Sequence, residues 1–153
     1  LAAPAAPRAA LKDRLLKRIS REAAAHERDF PDGRPAGADE VLPGVIAVRS
    51  NAAEWIQTPV SGVAYKVLGR DPGQGRTTRL VRFSPGMRYP RHRHAGVEEI
   101  YIIEGELCVN GASLKAGDYC RSEAGTEELG TFTDVGALAM VISADADEVV
   151  VDA

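Results

Sequence analysis

Two histidines one residue apart, His92 and His94, precede Glu98 in the stretch PGMRYPRHRHAGVEEIYIIEGEL at residues 85–107, in a chain with three histidines in all. If HRH lies on a β-strand, side-chain alternation turns both imidazoles to one face and Arg93 to the other. Two imidazoles about one pleat apart can reach a single ion. The short AGV segment is expected to turn the chain back, so that Glu98 comes beside them. From Glu98 the same alternation puts Ile100 and Ile102 on its side, which aims the carboxylate into an apolar interior. An ionised carboxylate there is costly to bury unless a positive charge meets it. A divalent metal held by two imidazoles and a carboxylate meets that demand. The alternative is a barrel interior that has no metal.

These residues need strands to position them, and the sequence supplies strands. From about residue 45, VIAVRS, AEWIQT, GVAYKVLGR, RTTRLVRFS, EEIYIIEG, ELCVNG and ALAMVISA are short runs rich in β-branched and aromatic residues. DPGQG, SPG, NG and AGD separate them as turns. With no helical pattern between them, the expectation is a mainly β sandwich or small barrel. Ahead of it, residues 1–10 have the Ala/Pro composition of a flexible linker. Leu11, Leu15, Leu16 and Ile19 recur at helical spacing among Lys12, Arg14, Lys17, Arg18 and Arg21, predicting an amphipathic helix over 11–28 that carries His26 near its end. The helix and a Pro/Gly-rich connector occupy residues 11–43, and the barrel 44–153.

The chain is 44% hydrophobic and 27% charged over 153 residues, an ordinary composition for one globular domain. A net charge of −3 gives no reason to expect nucleic acid, and Arg88, Arg91 and Arg93 are expected to pair with Glu98, Glu99, Glu104, Glu106 and Glu128 instead. No apolar run approaches the roughly 20 residues that span a bilayer. Cys108 and Cys120 read as small buried hydrophobes, and a reducing cytoplasm is the expected compartment.

Gly86, His92, His94, Glu98 and Gly105, separated by five, one, three and six residues, reproduce the first motif of the cupin superfamily (RmlC-like). The sequence resembles cupins further on, where Gly117 and Gly125 fit the second motif. In that motif Glu123 stands in place of a proline, and Glu128 in place of the fourth ligand histidine. The resemblance implies a small antiparallel jelly-roll β-barrel, a double-stranded β-helix. It also implies a metal held by His92, His94, Glu98 and Glu128, with Glu127 the alternative if the strand register slips by one. Two carboxylates make a hard ligand set, which suits Mn or Fe and accepts Zn. An octahedral ion with four protein ligands keeps two positions for water or substrate. If Glu128 faces outward, a two-histidine, one-carboxylate triad remains.

Over residues 52–143 the sequence is similar to the ChrR-type cupin, through the Trp55 stretch before GVAYKVL, the segment TRLVRFSPG and the centre GVEEIYIIEGEL. In that family the cupin is the C-terminal half of an anti-sigma factor. The His-x3-Cys-x2-Cys zinc signature of its N-terminal half does not occur in these residues, and the sequence does not begin with Met, so part of a longer protein is expected. The resemblance implies a metal-binding regulatory or sensor domain whose partners are a small molecule in the barrel, a sigma factor or other protein, and a second copy in a homodimer. A metal-dependent enzyme such as a dioxygenase is the alternative, with Tyr89, Tyr101 and Arg91 the residues considered for an anion and Tyr101 expected to face outward. A metal-free binding module is the third reading.

Overall fold

The computed structural model describes residues 33–144 and 148–149. The predicted linker and helix over 1–28 lie outside them. Among the described residues every element is a strand, as the turn-punctuated β-branched sequence predicts. In chain order they are β1 (Ala38–Leu42), β2 (Val45–Val48), β3 (Ile56–Gln57), β4 (Val63–Asp71), β5 (Arg76–Phe83), β6 (Arg88–Tyr89) and β7 (His92–Arg93). They continue with β8 (Glu98–Val109), β9 (Ala112–Lys115), β10 (Tyr119–Ser122), β11 (Glu127–Glu128), β12 (Thr131–Phe132), β13 (Ala137–Ala144) and β14 (Glu148–Val149).

β1 and β2 form a hairpin of their own, so residues 38–42 of the expected connector are in fact a strand. The main sheet runs β3-β4-β5-β13-β8-β12-β6, with β9 and β10 also paired to β8. A separate sheet has the order β11-β7-β14. All pairings are antiparallel. The main sheet curls about one core, the jelly-roll arrangement that the sequence implies.

β8 is the spine of that curl. The sequence suggests two strands here, EEIYIIEG and ELCVNG, but the structure has one of 12 residues. Its first half pairs with β10 and β13, and its second half with β9 and β12. Between them Leu138 faces Glu104 and Ala139 faces Ile102, so Ile103 is an extra, bulged residue. The bulge switches the inward face from Glu98, Ile100 and Ile102 to Leu107 and Val109. Gly105 completes the bend at φ 77°, where a Cβ would stand 2.1 Å from the Gly136 carbonyl oxygen. A two-fold periodicity that changes phase reads as two strands in sequence, although hydrogen bonding carries the chain through as one.

Strict alternation on β13 (Ala137, Ala139 and Val141 inward) meets Val63, Tyr65 and Val67 of β4, Val81 and Phe83 of β5, and the inward residues of β8. Ile102 and Leu107 are fully buried, each contributing about 1.5–3 kcal/mol relative to exposure. On the opposite, outward face, register aligns Leu80, Met140, Tyr101 and Tyr119 in one row across β5, β13, β8 and β10. Tyr101 and Tyr119 are exposed.

Candidate metal centre

β7 is two residues long, preceded by Pro90, which has no N–H to extend a ladder. It pairs with β11 in a register that sets Glu128 opposite His92 and Glu127 opposite Arg93. Residues that face each other across a ladder point to the same side, so this register settles which glutamate turns inward. Glu128 is buried with His92, while Glu127 accepts a hydrogen bond from Arg93 Nη2 at 2.6 Å on the outside. The ladder runs on past β7: His94 N donates to the Thr126 carbonyl at 3.0 Å, and Gly125 N donates to the His94 carbonyl at 2.8 Å. His94 therefore sits two residues along, on the His92 side.

Glu98 arrives from the other sheet. The expectation that AGV folds the chain back beside the histidine strand is not what the structure has. β7 pairs with β11 and β14, and Glu98 opens β8, opposite Ser122 of β10. The turn instead carries the chain from one sheet to the other, passing so close to β13 that a Cβ on Gly96 would come within 2.9 Å of the Ala144 Cβ. The four side chains are thus contributed by two sheets, three from the small one and one from the large one.

They converge. Ligand-capable atoms of His92, His94, Glu98 and Glu128 all lie within 4.8 Å of one another, with residue exposures of 4%, 2%, 9% and 3% in that order. Metal–ligand bonds of about 2.0–2.2 Å put two donors of one ion at most about 4.4 Å apart, so the four side chains are near enough to close on a single ion. The imidazole centroids are 4.8 Å apart at 78°. His94 Nε2 lies 3.6 Å from Glu128 Oε2, and His94 Nδ1 lies 4.0 Å from Glu98 Oε1. Glu128 Oε2 is buried without a hydrogen-bond partner. A buried carboxylate oxygen with no donor, facing an imidazole beyond hydrogen-bond range, fits a shared cation. Two neutral imidazoles and two carboxylates sum to the charge that a divalent ion balances.

Three groups that the motif does not contain hold these side chains. Thr131 Oγ1 donates to Glu128 Oε1. His92 Nδ1 lies 3.1 Å from the Pro90 carbonyl, which favours protonation there and leaves Nε2 for an ion. Asn110 caps the β8–β9 turn at φ 48°, and its Oδ1 accepts from Leu129 N at 2.7 Å and Gly130 N at 3.4 Å. The NG turn is plain in the sequence. That its side chain ties down the loop after Glu128 is a long-range fact.

The remaining expectations divide. Tyr89 packs edge-on against His92, with centroids 5.3 Å apart. Tyr101 faces outward, as alternation predicts. Arg91 and Arg93 both reach Glu127, and Arg88 pairs with Asp134, two carboxylates outside the five glutamates expected for them. Among the described pairs Glu99 is taken by Arg76, whose hydrogen bond, with one from Tyr119, holds its carboxyl below the usual range. Cys108 and Cys120 are free and half-buried. Cys120 pairs with Ile100, one inward position from Glu98; burial first, and then the Glu128 and Glu98 carboxylates, push its thiol up. No helix among the described residues is long and apolar enough to cross a membrane.

Residues 43–145 match the family described as the ChrR cupin-like domain. No curated protein matches the chain significantly. Among solved structures, an RmlC-like cupin protein from Ralstonia eutropha is 21% identical with a TM-score of 0.58, over 69% of this chain and 76% of its own. An acetylacetone dioxygenase from Acinetobacter johnsonii is 18% identical with a TM-score of 0.61, over 78% and 83%. The structure of Rhodobacter sphaeroides SigE in complex with the anti-sigma ChrR matches at 20% identity and a TM-score of 0.53, over 62% of this chain and 50% of that one. At these identities the likeness is one of fold.

Proposed function

Because the chain belongs to the ChrR cupin-like domain family, we propose that it is a regulatory cupin that binds a divalent metal through His92, His94, Glu98 and Glu128. The observation that carries the reading is the convergence of two buried imidazoles and two buried carboxylates from two different sheets. Without a cation, two carboxylates share a buried site with no fixed positive charge among the four side chains. With one, every charge is met. Two carboxylate oxygens favour a hard ion, Mn(II) or Fe(II), with Zn(II) also accommodated. The fold is shared with an anti-sigma factor solved in complex with its sigma factor, which supports a protein partner of that class and a cytoplasmic setting.

The second reading is a metal-dependent dioxygenase, favoured by structural neighbours that carry that activity in their names. A metal ion here would supply Lewis acidity at coordination positions the protein leaves open. This chain's own residues would hold and shield it: Pro90 fixes the His92 ring, and Tyr89 covers its edge. Self-association belongs to the same proposal. The outward row Leu80–Met140–Tyr101–Tyr119 is apolar surface of the kind that two copies bury. Sedimentation equilibrium should find a dimer for the wild type and a monomer for Tyr101→Glu; a monomeric wild type removes self-association from the proposal.

Elemental analysis of protein purified without added metal or a His tag tests the metal site. Near-stoichiometric Mn, Fe or Zn is expected in the wild type and in Glu127→Ala, loss of it in His92→Ala, and weakened, substoichiometric binding in Glu128→Ala, where three of the four side chains remain. A wild type that stays metal-free after reconstitution rules the reading out in favour of a metal-free binding module. Oxygen consumption by the loaded protein with β-dicarbonyl compounds then separates the enzyme from the sensor.

A further inference from the structure

We propose that Thr131 is a positioning residue that makes Glu128 a one-oxygen metal ligand, reserving Oε2 for the ion by engaging Oε1. This deepens the metal-binding reading and rests on it.

A glutamate has one more rotatable bond than a histidine and two equivalent oxygens. Placed at a ligand position, it can swing out, or it can close on the ion with both oxygens and fill a coordination position that a ligand would use. The structure counters both. Glu128 comes from β11 in the small sheet, and Thr131 from β12 in the large one, where it pairs with Tyr89 and Val109. Both are almost fully buried, at 3% and 5% exposure. The Thr131 hydroxyl donates to Oε1, and it comes from a backbone fixed on both sides by ladder hydrogen bonds. Oε2 is left without a donor, 3.6 Å from His94 Nε2 and turned toward the cluster. One oxygen is engaged and the other is presented. A carboxylate at this position takes the hydroxyl as a donor to one of its two oxygens. The pair Glu128 and Thr131, three residues apart, is thus a unit, and the threonine accounts for how a carboxylate serves in the fourth position of this chain.

The consequence is read in metal affinity and in the spectrum of the bound ion. Mn(II) binding to the full chain is followed by the EPR signal of the free ion, with a competing chelator, for the wild type, Thr131→Val and Thr131→Ser. Each is measured with Glu128 intact and with Glu128→Ala. Thr131→Val keeps the shape and removes the hydroxyl; it is expected to weaken Mn(II) binding by about 10- to 100-fold, the usual effect of losing a group that orients a ligand. It is also expected to change the line pattern of bound Mn(II), as Oε1 becomes able to join Oε2. Thr131→Ser keeps the donor and is expected to bind like the wild type. In the Glu128→Ala background the valine should have no further effect, because its only target is gone. Thr131→Val with wild-type affinity and an unchanged spectrum overturns the proposal, and so does an equal loss in both backgrounds, which would mark a purely structural role. Circular dichroism checks the fold; if valine is not accepted, Thr131→Ala makes the same comparison. A wild type that binds no Mn(II), Fe(II) or Zn(II) overturns the metal reading and this inference with it, whereas a wild type that binds beside an unaffected valine variant overturns this inference alone.

Discussion

Glu127 and Glu128 are chemically identical and adjacent, yet one is held outside by Arg91 and Arg93 while the other is buried against two histidines. What separates them is the β7–β11 register, Glu128 opposite His92. In the metal assay Glu127→Ala is therefore expected to keep its ion, since it removes only ion pairs to Arg91 and Arg93 on the outer side of the ladder, each contributing at most about 1 kcal/mol. Glu128→Ala removes a donor and leaves His94 facing a gap. His92 and His94 were legible at this scale, because HRH on any strand turns two imidazoles to one side. Glu98 was legible as inward from its alternation with Ile100 and Ile102. The supporting groups were not: neither Thr131 nor the Pro90 carbonyl belongs to a motif, and each is recognised only by what it touches.

At the scale of elements, the site is assembled by short ladders and a hairpin tip. The β8–β9 turn at Asn110–Gly111 takes left-handed backbone at both residues, φ 48° and 85°, the geometry that NG turns favour. The Asn110 side chain then accepts from Leu129 and Gly130 and donates to the Glu127 carbonyl at 3.4 Å, while its own N–H donates to the Gly130 carbonyl. Asn110→Gly keeps the turn's backbone and deletes these side-chain bonds. Its expected effect is a loss of about 1–3 kcal/mol of stability together with weaker metal binding, measured by urea denaturation and chelator competition. A variant as stable and as avid as the wild type would show that the loop carrying Glu128 holds itself. β8 gives the opposite lesson about legibility. Its residues were assigned to strands correctly, but the bulge at Ile103 inverts the inward face midway, and a change of phase cannot be told from a break without the partner strand.

For the whole molecule, the consequence of the site is mechanical. His92, His94 and Glu128 sit with the small sheet and Glu98 with the large one, so one ion would bind two sheets that contribute separately to the fold. Such a site exists only in the native state, and binding at 100 times Kd adds about 2.7 kcal/mol. For a domain of this size that is a rise in Tm of roughly 10 °C. Calorimetry of metal-loaded and chelator-treated protein should show this difference in the wild type and not in His92→Ala. Equal melting temperatures for the loaded and stripped wild type would mean that no ion binds the native state in preference to the unfolded chain, and would remove the cross-link from the proposal.

The sequence by itself determined the mainly β class, the shared face of His92 and His94, and the side of Glu98 with Ile100 and Ile102. These rest on a two-residue period and on spacing within a single strand, which are local properties. The tertiary structure decided which sheet each of the four clustered side chains belongs to, which of Glu127 and Glu128 faces inward, where Arg88, Arg91 and Arg93 find partners, and that Thr131 holds Glu128. All of these depend on register between segments far apart in the chain. Register is set by which apolar faces close the core together, and no single strand contains that information.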